Sequence, residues 1–152
     1  MKWHVKDIEL YLQSKEYVDS IIIPLIPIDF GAAMKTTAAM NEYTAIITSE
    51  LERQFKGRVL VAPSFTYLKQ PGTQHALKSL IDWKNQACAS EIKHIFFLTN
   101  DRDWIPYDQE LASKLIWIPT LPLEHMEESH KQRVVADQIE QIIPDFLEKW
   151  KS

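Results

Sequence analysis

The sequence predicts a single domain, spanning residues 1–152, in which helices cover both faces of a four-stranded, mostly parallel sheet. Two observations support this three-layer α/β/α fold. Four short apolar segments alternate with helical patterns along the chain, which is typical of successive βα units with right-handed crossovers. The same segments lack polar alternation, as expected of strands that are buried on both faces. Four strands of this kind most simply adopt the order 2-1-3-4.

The predicted strands are runs rich in β-branched and aromatic residues, at residues 18–28, 58–63, 94–100 and 115–119. Pro24 and Pro27 each lack a backbone donor, so we expect regular pairing of the first strand to fade after Leu25. The segment that follows the second strand is expected to be a loop, because Pro71-Gly72 is a turn signal.

The predicted helices rest on apolar residues that recur at helical spacing, such as Val5, Ile8 and Leu12. Pro144 is expected to kink or split the last helix, because proline has no N–H to donate. Cys88 lies on an apolar stripe without a neighbouring base, so we expect it to be buried and structural. Five helices are predicted. The first ends near residue 14, and the other four span about residues 40–55, 73–88, 108–114 and 129–150.

The composition excludes several classes of protein. The 152 residues are 45% apolar and 25% charged, which is typical of a globular domain. The net charge of −4, without a basic cluster, argues against nucleic-acid binding. Three dispersed glycines cannot build a P-loop or a dinucleotide fingerprint. Because there is one cysteine, no secretory signal pattern and no apolar run long enough to span a membrane, we expect a cytoplasmic location.

Polar side chains follow two of the predicted strands at their C-terminal ends. Asp29 follows the first strand, and Asn100, Asp101 and Asp103 follow the third. These two strands flank the topological switch point, where open α/β sheets bind ligands, so the carboxylates are expected to approach one crevice. For Asp29 the sequence favours neither a role in the site nor a role as a helix cap over the other. The residues predicted to line the crevice are Asp29, Tyr67, Asp101, Arg102, Asp103 and Trp104.

Four segments, in order, resemble the creatininase family of metal-dependent amidohydrolases: IIIPLIPIDFG, RVLVAPSFTYLKQPGT, HIFFLTNDRDW and LEHMEES. The chain is also similar to the short YpiF-like proteins of bacilli. The first resemblance implies a creatininase-like fold, with the family's first metal-binding acid at Asp29. The family's third-strand histidine falls on Asp101 and its glycine pair on Arg102 and Asp103, while Gly31 stands where another histidine belongs.

The missing histidines favour a non-catalytic binding or regulatory protein that needs no cofactor and holds a small molecule or a protein partner at the crevice. The alternative is a metal-dependent amidohydrolase with an oxygen-rich site, in which Asp29, Asp101 and Asp103 bind Mg²⁺ or Mn²⁺. Glu127 or Glu128 would then serve as its general base. A third hypothesis is a structural interaction protein that uses an exposed helix face. The family resemblance also makes an oligomer possible.

Overall fold

The computed structural model of the protein describes residues 1–151. The helices are α1 (Val5–Gln13), α2 (Met34–Gln54), α3 (Thr73–Ala89), α4 (Asp108–Leu111) and α5 (Glu128–Lys151). The strands are β1 (Ser20–Ile28), β2 (Val59–Val61), β3 (Phe65–Leu68), β4 (His94–Thr99) and β5 (Lys114–Trp117). A 3-10 helix, Arg102–Tyr107, precedes α4. The predicted α/β class is therefore confirmed.

The sheet is parallel and has five strands in the order β2-β1-β4-β5, with β3 also paired to β1. The four predicted strands thus lie in the predicted order, but the prediction of only four strands is wrong. The fifth strand, β3, lies in the segment expected to be a loop. Phe65 and Tyr67 of β3 are buried, whereas Thr66 and Leu68 are exposed. This alternation depends on the distant partner β1, so local turn residues concealed it.

The two prolines of β1 are accommodated without breaking its ladders, and pairing continues to Ile28 rather than fading after Leu25. Ile22 and Ile28 accept hydrogen bonds from Ala62 and Lys69, which places the even-numbered backbone groups towards β2 and β3. Pro24 consequently faces the gap between β2 and β3. Pro27 faces the other side, beyond the last residue pair of β1 with β4. Neither proline removes a needed donor.

Two hydrophobic clusters lie on opposite faces of the sheet. Ile21, Ile23 and Leu25 point towards α1 and α3, while Ile22 points towards α2 and α5. Because successive residues of a strand face opposite sides, β1 contributes to both clusters. The three-layer α/β/α arrangement follows from this alternation.

The structure corrects the expected start of α2, the expected split of α5 and the expected burial of Cys88. Helix α2 begins at Met34, earlier than residue 40, and Thr37 near its start is already buried and donates to the Met34 carbonyl. Helix α5 is not split and continues through Pro144, since Ile142 and Phe146 are buried on either side of it and hold the helix in place. Cys88 is exposed, because the neighbouring Ala87 is the residue that packs against the cluster. Within residues 1–151, no helix is long and apolar enough to cross a membrane.

A polar cluster around Asp19 joins the start of β1 to β2 and α5. Arg58 donates to both carboxylate oxygens of Asp19, at 3.1 and 3.2 Å, and lies 3.9 Å from the centroid of the Trp150 ring. Trp150 Nε1 donates to Ser20 Oγ at 2.7 Å, and Ser20 Oγ donates to Asp19 at 2.9 Å. His94 Nε2 lies 3.9 Å from the same carboxylate. Burial alone would raise the pKa of Asp19, but the hydrogen bonds from Arg58 and Ser20 outweigh it and hold that pKa below its ordinary value.

Replacing Asp19→Asn is expected to lower the free energy of unfolding by about 2 kcal/mol at pH 7, because charge-assisted hydrogen bonds are lost. A carboxyl group with a lowered pKa in the folded state stabilises above its unfolded pKa of about 4, and loses this effect as the pH falls through its folded pKa. The difference between wild type and variant should therefore shrink below about pH 4. Urea unfolding followed by circular dichroism across this pH range measures it.

The matched control is Asp137→Asn on the exposed side of α5, which should change the stability by less than about 0.5 kcal/mol. A destabilisation by Asp19→Asn that stayed constant from neutral to acidic pH would contradict the proposed role of the Asp19 charge.

Candidate functional site

The C-terminal ends of β1 and β4 lie side by side, because the two strands pair in register up to Leu25 and Thr99. Asp29 follows β1, and Asn100 and Asp101 follow β4. Helix α2 leaves β1 on one face of the sheet, whereas α3 leads into β4 on the other. These strand ends therefore form the topological switch point that the sequence predicted.

A hydrogen-bonded group, here called the strand-end network, consists of the side chains of Tyr67, Asp101 and Trp104 and the backbone N–H of exposed Asp103. The Tyr67 hydroxyl donates to Asp101 Oδ2 at 2.8 Å and accepts from Trp104 Nε1 at 2.7 Å. The Asp103 backbone N–H donates to Asp101 Oδ1 at 2.9 Å. Tyr67 and Asp101 are buried, and Trp104 is fully buried. The structure thus brings together four of the six residues predicted to line the crevice, but turns three of these side chains inward.

The electrostatics of this network keep Tyr67 in its donor form. Burial raises the pKa of the Tyr67 hydroxyl well above its ordinary value, and the adjacent Asp101 carboxylate raises it further. The hydroxyl therefore remains protonated and supplies a hydrogen bond to Asp101. The other Asp101 oxygen caps the 3-10 helix at Arg102–Tyr107. The network orients the chain as it leaves β4.

Asn100 makes a second set of contacts at the strand ends. Its Oδ1 accepts from Thr44 Oγ1, and its Nδ2 donates to the Ile118 carbonyl at 3.1 Å. The backbone carbonyl of Asn100 accepts from Trp117 Nε1 at 3.0 Å. Sequence reasoning missed Thr44. The pattern that could have revealed it is that this polar residue lies on the buried, apolar stripe of α2. These bonds join β4 to α2 and to the segment around β5.

Asp29 lies in the turn that leads from β1 into α2. Its Oδ2 accepts from the Ala33 backbone N–H at 2.7 Å, one residue before the helix begins at Met34. The carboxylate therefore fixes the backbone of this turn. An anion that approached the α2 N-terminus would meet a carboxylate already in the favourable position near the helix dipole.

The remaining candidate residues lie apart. Exposed Arg102 places its guanidinium 5.4 Å from the centroid of the Trp117 ring. Glu128 begins α5 and lines a groove on the α2 side, and Glu127 is exposed just before it. In the described chain, no three His, Cys, Asp or Glu side chains gather to hold a metal ion. Asp29 and Asp101 each accept a hydrogen bond from a backbone N–H of the segment that follows their strand.

A different cavity opens between α1 and α3. This α1–α3 cavity has a volume of about 670 Å³ and a floor of sheet residues that includes Ile21, Ile23 and Leu60. Two polar side chains of opposite charge, Lys15 and Asp82, are exposed at its margin. The aromatic residues of its walls are Trp3, Tyr11 and Trp83.

Helix α1 packs against the core less completely than its apolar stripe predicts. The apolar stripe of α1 should pack against the core, but Val5 is 78% exposed and Leu12 is 58% exposed. Ile8 and Tyr11 alone bring the helix against the cluster, and Leu12 lines the cavity. The signal for this site in the sequence was that the short helix α1 carries more apolar residues than it can bury.

An aromatic series connects the cavity wall to the strand-end network. Trp83 and Phe65 pack edge to face with ring centroids 5.2 Å apart, and Phe65 lies 6.1 Å from Tyr67. Tyr67 in turn packs edge to face with Trp104 at 5.2 Å. Such contacts stabilise a fixed arrangement of rings. The wall of the cavity is therefore supported from the polar end of the sheet.

The fold and these sites define a small α/β protein with a parallel sheet, and similarity then identifies its family. Residues 9–150 match the family described as protein of unknown function (DUF2487), to which the chain belongs. Over 153 aligned positions it is 34% identical to the uncharacterized protein YpiF of Bacillus subtilis strain 168, covering 100% of this chain and 99% of that protein. No solved structure matches the chain. The predicted similarity to YpiF-like proteins is confirmed, and these findings give no support to a creatininase relationship.

Two buried tyrosines provide a matched test of the strand-end network. Tyr67→Phe would leave Asp101 and Trp104 without their shared partner, so we expect it to lower the free energy of unfolding by about 2–4 kcal/mol. Within residues 1–151 the buried hydroxyl of Tyr43 has no hydrogen-bond partner, and Tyr43→Phe should be neutral or stabilising by about 1 kcal/mol. Urea unfolding of both variants measures the contrast. Equal losses would show that the hydroxyl of Tyr67 has no special role.

Proposed function

We propose that this protein is a non-catalytic binding protein whose ligand is a predominantly apolar small molecule held in the α1–α3 cavity. The observation that supports this most directly is the size and lining of the cavity. Its volume of about 670 Å³ lies within the range of about 300–1,000 Å³ that is usual for small-molecule sites. Apolar and aromatic side chains with a few polar groups are the usual lining of such sites.

The lining also indicates the chemistry of the ligand. Trp3, Tyr11 and Trp83 present aromatic surfaces, which favour planar or hydrocarbon groups. Lys15 and Asp82 carry opposite charges, so the margin of the cavity selects for neither an anion nor a cation. Burial of apolar ligand surface, worth about 25 cal/mol per Å², would supply the binding energy. The expected ligand is uncharged or carries only a small polar end.

The strand-end residues contribute to this proposal as support and not as a contact surface. Asp29, Tyr67 and Asp101 already have protein partners, so a ligand at the strand ends would have to displace hydrogen bonds that the fold itself uses. Displacing them leaves buried polar groups unsatisfied, which costs about 1–3 kcal/mol for each group. Binding in the cavity has no such cost.

A metal-dependent amidohydrolase remains the alternative function. It requires several carboxylate or histidine ligands around each ion. Asp29 and Asp101 instead bind backbone N–H groups of their own loops. Calorimetric titration of Mn²⁺ into chelator-treated protein distinguishes the two functions: binding of micromolar affinity that is abolished by Asp29→Ala and by Asp101→Ala would support the hydrolase and contradict a non-catalytic role.

The cavity is tested with the neutral fluorescent probe N-phenyl-1-naphthylamine. Leu12 and Leu10 lie on the same helix with exposed fractions of 58% and 52%, but only Leu12 lines the cavity. Leu12→Glu should weaken probe binding at least about tenfold, because it places a charge against apolar surface. Leu10→Glu, the matched control, should leave the affinity unchanged. Fluorescence titration measures both.

A second pair of variants tests the volume of the cavity without adding charge. Ala87→Phe projects a ring from the α3 wall, whereas Ala89→Phe adds the same ring at the end of α3, outside the lining. We expect the first substitution to abolish probe binding and the second to preserve it. The proposal fails if the wild-type protein shows no saturable binding, or if Leu12→Glu and Ala87→Phe both bind as tightly as their controls.

A further inference from the structure

A groove on the opposite face of the sheet runs between α2 and α5. This α2–α5 groove has a volume of about 1010 Å³. Ile46 lies at the edge of the groove, and 42% of this apolar residue is exposed to solvent. The apolar residues along the groove are Ile46, Leu123, Val135, Ile139 and Ile143. An apolar strip of this kind, between two helices, is a common binding surface for a third helix.

The margins of the groove carry a negative charge. Its basic side chains are Arg53 and Lys131, and its acidic side chains are Glu42, Glu50, Glu124, Glu128 and Glu140. Arg53 Nη2 is already paired with Glu50 Oε2 at 2.6 Å. In the part of the chain that the structure describes, none of the other four glutamates takes part in an ion pair. Four carboxylates thus face one remaining cation.

The length of the groove matches a short helix. The lining residues span positions 42–54 on α2 and 128–143 on α5. At 1.5 Å per residue these stretches are about 18 and 22 Å long, which corresponds to a helix of about 12–15 residues.

We infer that the α2–α5 groove binds a cationic amphipathic helix of a partner protein. The apolar face of that helix would cover the strip that includes Ile46 and Ile143, and its lysine or arginine side chains would reach the glutamates on both margins. Charge complementarity across an interface accelerates association and excludes acidic partners. This surface is independent of the α1–α3 cavity, which lies on the other face of the sheet.

The test uses a fluorescein-labelled peptide of about 14 leucine and lysine residues, with leucine at helical spacing, and measures fluorescence anisotropy. We expect binding with a dissociation constant on the order of 10 μM at low salt, weakening as salt screens the charges. A peptide with glutamate in place of lysine should not bind. Ile46→Asp should abolish binding although it adds a negative charge, because it disrupts the apolar strip.

Two triple variants separate the groove from the net charge of the protein. Glu124→Gln, Glu128→Gln and Glu140→Gln together should weaken binding at least about tenfold. The control, Glu9→Gln, Glu16→Gln and Glu110→Gln, removes the same three charges from exposed sites elsewhere and should have little effect. Equal weakening by both triple variants, binding of the acidic peptide, or no binding of the basic peptide would each overturn the proposal. A dimer that Ile46→Asp dissociates would also overturn it, by identifying a second copy of this chain as the occupant.

Discussion

The whole arrangement depends on β1, which is paired on both sides along most of its length. β2 and then β3 occupy one side, and β4 occupies the other. Such a strand has no free edge, and its side chains are buried in both hydrophobic clusters. Its two prolines are tolerated only because one faces the break between β2 and β3 and the other lies beyond β4. The chain enters this strand from α1 on one face of the sheet and leaves it into α2 on the other.

The polar residues at the strand ends are the ones expected to bind a ligand, and they form hydrogen bonds within the protein. Open α/β sheets place their loops at the C-terminal ends of strands, where ligands commonly bind. Here Asp29 accepts a hydrogen bond from the turn before α2, and Asp101 binds both Tyr67 and the first turn of the 3-10 helix. Buried polar groups require partners, and these carboxylates and the Tyr67 hydroxyl supply them to one another and to the backbone. The polar residues at the switch point therefore have hydrogen-bond partners within the fold.

The surfaces that remain open have opposite chemistry. On one face α1 is short and covers the sheet incompletely, so aromatic and aliphatic side chains surround a cavity. On the other face two long helices lie side by side, and their margins are acidic. The difference arises from helix length and from charge placement along each helix. The two faces of the sheet thus carry an apolar cavity lined by aromatic residues and a groove with acidic margins.

The sequence by itself determined the α/β class, the order of four strands and the family. It also grouped Tyr67, Asp101, Asp103 and Trp104 in one expected site, together with Asp29 and Arg102. Only the tertiary structure decided that β3 is a strand, since its pairing with β1 has no local signature. It also decided that Asp29 binds the backbone N–H of Ala33 and that half of the α1 stripe stays open. These outcomes depend on which backbone N–H or apolar surface lies within reach, and that distance is set by chain segments far apart in sequence.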